Sequence, residues 1–267
     1  MAAFPNLTQS CNWPAVLKNT PVSDMKNNHI QNYCRAALLL FLAVGTVHAQ
    51  TTSGVQPESQ VLLISETEGQ AQMGVRNSDS SPLLLYTRVY EVEEDKAVRI
   101  VPVPPMTRVE PGARQIVRFV MEKMKDSEPL KVQHYKRVSF EGIPPQSSDP
   151  TVSQVKVNVR YDMPVIISPK GLPNEDAPWA LMKWRLEGRK LIGLNPTPYV
   201  VRMSREVDLL PAIKRVEIVK RTYILPRETV SIELPEGVTP ESVTGVRLFP
   251  ATLYGYAAPD YDAKIQP

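Results

Sequence analysis

Few side chains in this sequence are able to do covalent chemistry. Cys11 and Cys34 precede or open an apolar run near the start, and His134 is the one histidine beyond residue 48. No glycine-rich phosphate loop and no nucleophile elbow is present. Glu93-Glu94-Asp95 reads as a solvated turn between strands rather than a pair of catalytic carboxylates, and His134 as a strand-face residue. No residue is assigned a catalytic or metal-binding role, no cofactor is expected, and the chain is not read as an enzyme. What remains is recognition without covalent change. Its strongest signal is the stretch in which Val155, Val157, Val159, Tyr161 and Met163 share one face of an extended strand while Lys156, Asn158, Arg160 and Asp162 share the other. β-Branched residues at every second position suit a backbone that pairs through main-chain hydrogen bonds and lays apolar side chains into a groove. Full burial of Val155, Val157 and Val159 contributes about 5–9 kcal/mol before ordering and association costs are subtracted.

The start of the chain says where such a strand works. Ala36 to Val47 is apolar or small throughout; at about a dozen residues it is too short for a hydrocarbon core that needs roughly 20. Lys26 and Arg35 precede it and Val47-His48-Ala49 follows, the pattern of a secretory leader cut before Gln50. Residues 1–24 are polar and contain Pro5, Pro14 and Pro21, so Met25 is the better start and Met25 to Ala49 a leader within the usual range of about 15–30 residues. Cleavage removes both cysteines, and with them any disulfide or thiol chemistry. It also leaves basic and acidic residues almost balanced, so neither nucleic acid nor an anionic membrane surface is an expected partner, and stable membrane insertion is not expected.

The remainder alternates short runs rich in Val, Ile, Leu and Tyr with Pro, Gly, Asn, Asp and Ser, and no long stretch keeps a helical period. Strands are expected at Val61–Ile64, Ala71–Arg76, Leu83–Val92, Val98–Val103, Gln115–Met121, Val132–Phe140 and Val155–Ile167, which suits an immunoglobulin-like sandwich. Ser168 to Pro178 holds three prolines and a glycine and marks a linker. Beyond it, strands are expected at Leu181–Leu186, Leu191–Leu194, Tyr199–Val207, Arg215–Val219, Glu228–Leu234 and Val246–Tyr256. The expected organisation is therefore a leader region at 1–49, an N-terminal immunoglobulin-like domain at 50–168, a linker at 169–178 and a smaller β-sandwich at 179–267. The fold class is all-β, two immunoglobulin-like β-sandwich domains.

Three motifs are each turn or strand-stop chemistry when taken singly. They are Pro104-Pro105-Met106-Thr107-Arg108-Val109-Glu110-Pro111-Gly112, Phe140-Glu141-Gly142-Ile143-Pro144-Pro145 and Asn195-Pro196-Thr197-Pro198-Tyr199. Their order and spacing together resemble the PapD-like periplasmic chaperones of the chaperone–usher pathway. That resemblance implies two sandwiches in an L-shaped arrangement and a periplasmic protein that binds, folds and caps pilus or fimbrial subunits. It further implies that Val155 to Met163 lie on strand G of the first domain, which is lent to a pilin-like fibre subunit, and that the subunit is then delivered to an outer-membrane usher. An open apolar edge also leaves a self-capping homo-oligomer available. The rival readings are a secreted immunoglobulin-like fibre subunit and a structural periplasmic binding module.

Much of that family holds the subunit's C-terminal carboxylate with an Arg of the first strand and a Lys late in strand G. The matching positions here fall near Gln60 or Val61 and at Pro164, none of them basic. Arg160-Tyr161-Asp162-Met163-Pro164-Val165-Ile166-Ile167 instead resembles the archaic, spore-coat-type branch. The short connection from Pro145 to Val152 and the absence of cysteine beyond the leader argue against the capsule-forming branch. A carboxylate still needs a cation, ideally a forked guanidinium. Arg137 is the first candidate, followed by Lys136 and Arg160. Alternation places Lys136 with Val138 and Phe140 on one face and Arg137 with Tyr135 on the other, so only one of the two can face the cleft.

Overall fold

The computed structural model describes residues 54–122, 128–145 and 159–266. In the first domain, β1 (Val55–Pro57), β3 (Gln70–Asn77), β7 (Arg114–Glu122) and β5 (Arg99–Val103) form one sheet in the order β1-β3-β7-β5. The facing sheet runs β2-β9-β8-β4-β6, from β2 (Leu62–Ser65), β9 (Arg160–Ser168), β8 (His134–Ile143), β4 (Leu83–Glu91) and β6 (Met106–Val109). The period of two makes the core. Along β7, Val117 and Phe119 are fully buried while Ile116 and Val120 point outward. Val138, Phe140, Val165 and Ile167 meet them from the other sheet, with Phe119 and Phe140 edge to face at 6.1 Å.

Glu110-Pro111-Gly112 is the turn expected of it. Gly112 takes φ +70°, a conformation that favours glycine, and its N–H donates to the Asn77 carbonyl at 2.9 Å. Buried Asn77 donates from Nδ2 to the carbonyls of Val109 and Ser81 at 3.0 and 2.9 Å, stapling that turn to the end of β3. The proline-led stretch before it is more regular than expected, because β6 pairs with β4 from Leu83–Val109 to Tyr86–Met106.

No strand lies between Ser168 and Lys183. This segment holds Gly171 at φ +75° and a short 3₁₀ turn, Pro178–Leu181, whose Trp179 enters the second core. The second domain contains β10 (Lys183–Glu187), β11 (Lys190–Leu194), β12 (Val201–Arg202), β13 (Glu206–Leu210), β14 (Lys214–Glu217), β15 (Tyr223–Ile224), β16 (Thr229–Glu233), β17 (Gly245–Leu248) and β18 (Tyr261–Gln266). Seven of them run in the order β14-β13-β17-β18-β10-β11-β16, with β12 and β15 as a separate pair. Trp184, Leu191, Val207, Val246 and Leu248 fill this core. Gly193 stands opposite Trp184 across β10 and β11, and a Cβ there would sit 2.7 Å from the indole ring. Gly193→Ala is therefore expected to lower stability by about 1–3 kcal/mol through overpacking, read as a lower urea midpoint at unchanged slope.

A third apolar cluster joins the two domains: Val61, Tyr135 and Ile166 from the first and Val200, Tyr223 and Leu225 from the second. Tyr135 stacks on Tyr223 with ring centroids 3.9 Å apart. Beside the stack, the Gln133 N–H donates to the Pro198 carbonyl at 2.8 Å, while Gln133 Oε1 accepts the Val200 N–H at 2.9 Å. Asn195, fully buried, donates to the carbonyls of Tyr199 and Leu225 and accepts the Thr197 hydroxyl at 2.7 Å. The Asn-Pro-Thr-Pro motif thus holds the backbone that receives Gln133 across the seam. No helix among the described residues is long and apolar enough to cross a membrane.

Candidate functional site

β9 is held unevenly. β8 pairs with it antiparallel from Glu141–Arg160 to His134–Ile167, but β2 covers only its second half, in parallel register from Leu62–Val165 to Ser65–Ser168. Among the described residues, nothing pairs with the outer edge of Arg160 to Pro164. An edge of this kind is a template for another extended chain.

The expected face of β9 divides. Val155 and Val157 lie outside the described residues. Val159 is half-buried, and its Cβ would stand 3.6 Å from a Cβ built on Gly54. Tyr161 and Met163 are corrections to the expected binding face, since Met163 is 5 % exposed in the first domain's own core and Tyr161 packs against that core. The cause is register: Met163 is on the same side as Val165 and Ile167, so alternation carries it inward once β8 has paired through its length.

The three expected cations also separate. Arg137, half-buried, lies opposite Pro164 and turns toward the seam beside Tyr135. Its Nε donates to Asp162 Oδ1 at 2.8 Å and its Nη1 to the Tyr135 hydroxyl at 3.3 Å. Burial works against its charge, yet Tyr135 and Asp162 more than offset that and hold its pKa above the ordinary value. Lys136 does not face the cleft: it is 1 % exposed and its Nζ donates to the Asp95 carbonyl, with Asp95 Oδ1 at 3.5 Å. Arg160 is exposed at the start of β9, opposite Glu141, away from the stacked tyrosines.

Sequence reasoning missed Arg202. It sits on β12 close enough to Tyr135 and Arg137 to feel both, and its Nη1 donates to the Thr252 carbonyl at 3.3 Å. Burial, with the Arg137 charge added, pushes its pKa below the ordinary value despite the opposing pull of Tyr135. No carboxylate pairs with it among the described residues. The available signal was one cation inside the apolar run Tyr199 to Met203, directly after the Asn-Pro-Thr-Pro motif. Tyr135, between the two guanidinium groups, has its own pKa raised by burial against the pull of both.

The acidic cluster at residues 93–95 is a turn with Glu93 and Glu94 exposed, but Asp95 is buried. Asp95 accepts the Tyr135 N–H at 2.8 Å and contacts His134 Nδ1 at 3.0 Å. Burial raises its pKa, but the contacts with His134, the Tyr135 N–H and Lys136 prevail and hold it at about 2. Glu94 next to it reaches across the seam to Arg221 and accepts the Tyr223 hydroxyl at 3.3 Å. One short loop thus grips β8 with one carboxylate and the second domain with the other.

This architecture has known counterparts. Residues 54–173 match the family described as the pili and flagellar-assembly chaperone, PapD N-terminal domain, and residues 177–249 the pili assembly chaperone PapD, C-terminal domain. A relative named as an uncharacterised fimbrial chaperone, YhcA of Escherichia coli strain K12, is 39 % identical over 210 residues, covering 78 % of this chain and 89 % of its own. The Yersinia pestis chaperone protein caf1M is 24 % identical over 203 residues, 68 % of this chain and 74 % of its own. Among solved structures, the SafB chaperone bound to SafA pilin from Salmonella enterica superposes with a TM-score of 0.63 at 17 % identity, covering 81 % of this chain and 99 % of that one.

Proposed function

We infer that this chain, which belongs to the PapD family of pili-assembly chaperones, holds a pilin-like subunit along the open edge of β9 and fixes that subunit's C-terminal carboxylate between Arg137 and Arg202. Both PapD domains are present in order, and the protein is a fimbrial assembly chaperone of the chaperone–usher class. Arg202 is the observation that carries the binding reading. It is a half-buried guanidinium without a carboxylate partner among the described residues, beside a second guanidinium, at the end of an unpaired strand edge. A carboxylate entering there gains the Arg202 guanidinium, the Nη1 side of Arg137 and the Tyr135 hydroxyl, and it relieves the repulsion between the cations. Asp162 occupies Nε of Arg137 with its carboxylate and Nη2 with its carbonyl, but makes no ion pair with Arg202.

Strand donation extends from that anchor. The subunit's strand lies along Arg160 to Pro164 by main-chain hydrogen bonds, and Val155, Val157 and Val159 supply the apolar side chains for its groove. Delivery to an outer-membrane usher follows from the same reading, as does a periplasmic location reached through a leader that starts at Met25 and is cut after Ala49. The free protein covers its open edge by self-capping. The reading assigns the chain no catalytic step. Kinship with the archaic, spore-coat-type branch finds no support among the relatives. The segment that suggested it serves local packing here, because Tyr161 and Val165 belong to the first domain's own core.

The test is recovery of co-expressed pilin-like subunits on tagged chaperone from periplasmic extracts, comparing wild type with Val157→Thr. Threonine keeps the β-branched shape but places a hydroxyl without a partner in an apolar groove, at about 1–3 kcal/mol. Binding about tenfold weaker is expected from a variant with an unchanged melting temperature. Equal recovery would remove strand donation through Val157.

A further inference from the structure

A groove of about 340 Å³ lies on the flank of the first domain, on the outer side of β2, away from β9. Val61, Leu63 and Ile116 line it, the Glu58–Arg114 ion pair stands at its rim, and Tyr254 of the second domain overhangs it. Ile116 is 42 % exposed and Tyr254 61 %, large apolar surfaces with no cover among the described residues. Two observations tie this groove to the cleft. Val61 belongs both to its wall and to the seam cluster around Tyr135 and Tyr223. The Tyr254 loop is also part of the cleft, since it carries the Thr252 carbonyl that accepts Arg202.

The loop is built to sit there. Gly255 has φ +96°, and a Cβ on it would lie 3.0 Å from Gln60 Cβ and 3.2 Å from Val61 Cγ2. Only glycine allows the hairpin to press so closely on the segment before β2, and the contact places Tyr254 at the mouth of the groove, where it is largely exposed. Gln60 and Val61 immediately precede Leu62, where the pairing of β2 with β9 begins opposite Val165, so a strand docked on the edge of Arg160 to Pro164 ends beside them.

We propose that this groove is a second contact for the docked subunit and receives an apolar side chain, aliphatic or aromatic, projecting from the subunit segment that runs past Gln60. The proposal rests on the subunit-binding reading above. It makes Tyr254 a determinant of which subunit is held, since an aromatic wall that docking buries rewards a side chain that fills the groove and gives little to a small or charged one.

The experiment measures the rate at which the co-purified subunit leaves immobilised chaperone. Tyr254→Ala and Ile116→Ser, from opposite walls, should each speed dissociation about tenfold or more, and Tyr254→Phe should stay within about twofold of wild type. Both residues are exposed in the free chaperone, so melting temperatures should not move. If wild type retains no subunit, this proposal and the binding reading both fall. If wild type retains it while both wall variants release it at the wild-type rate, the groove proposal alone falls. If the variants change only the self-association of free chaperone, the occupant is a second copy of this chain and the proposal is overturned.

Discussion

Replacing Arg137 and Arg202 together with alanine is expected to weaken subunit binding at least a hundredfold while leaving the chaperone folded. Each hydrogen bond from a guanidinium to a carboxylate contributes about 1.5–3 kcal/mol. Losing both partners therefore costs about 3–6 kcal/mol, two to four powers of ten in affinity. The single variants should differ in kind. Arg202→Ala removes a cation that is desolvated and has no carboxylate partner among the described residues, so it should not lower, and should slightly raise, the free chaperone's own stability. Arg137→Ala strands Asp162, but that carboxylate is 35 % exposed and keeps water, so the cost to folding is small. Arg137→Lys keeps the charge and loses the fork, and should fall between. Calorimetric titration of purified subunit reads all four proteins. A double variant within threefold of wild type would show that the carboxylate is held elsewhere.

The half of this site that was legible in the sequence is the half carried by alternation. Tyr135, Lys136 and Arg137 follow one another on a regular strand, so the opposite facing of Lys136 and Arg137 is a consequence of backbone geometry alone. The long strands β3, β4, β7 and β8 were readable for the same reason, and the Glu110-Pro111-Gly112 turn because its chemistry is local. β1, β6, β15 and β18 were not. The first three are two to four residues long, and β18, Tyr261–Gln266, though paired on both sides, carries Asp262 and Lys264 on a face its sheet leaves exposed. Arg202 was missed because it acts on Tyr135 from another domain. The binding face at Tyr161 and Met163 was misplaced for a different reason. Alternation states which side chains travel together, but whether their face meets a partner or the chain's own core depends on which edges are already paired.

Asp95→Ala is expected to lower stability by about 3–5 kcal/mol, the usual consequence of leaving a buried charge without its partner. Its carboxylate looked like part of a solvated acidic turn because its partners are distant in sequence: Lys136 lies 41 residues away, and the neighbouring Glu94 reaches Arg221 at 127. Folding sets Lys136 among fully buried neighbours, so removing the carboxylate strands an ammonium that water cannot reach. Lys136→Met in the same protein should recover most of the loss, since an apolar side chain of similar volume needs no counter-ion. The pH dependence follows from the same contacts. The Asp95 pKa is about 2 in the folded protein against 3.8 ordinarily, so its contribution is complete above about pH 4 and is lost as pH falls toward 2. That contribution is about 2 kcal/mol. Urea unfolding between pH 5 and 2 should therefore show a decline that Asp95→Asn flattens. Because the same loop carries Glu94 to Arg221, Asp95→Ala should also loosen the seam and weaken subunit binding even where the protein remains folded. A variant destabilised by less than about 1 kcal/mol, with wild-type subunit affinity, would show that the loop is not what holds the seam.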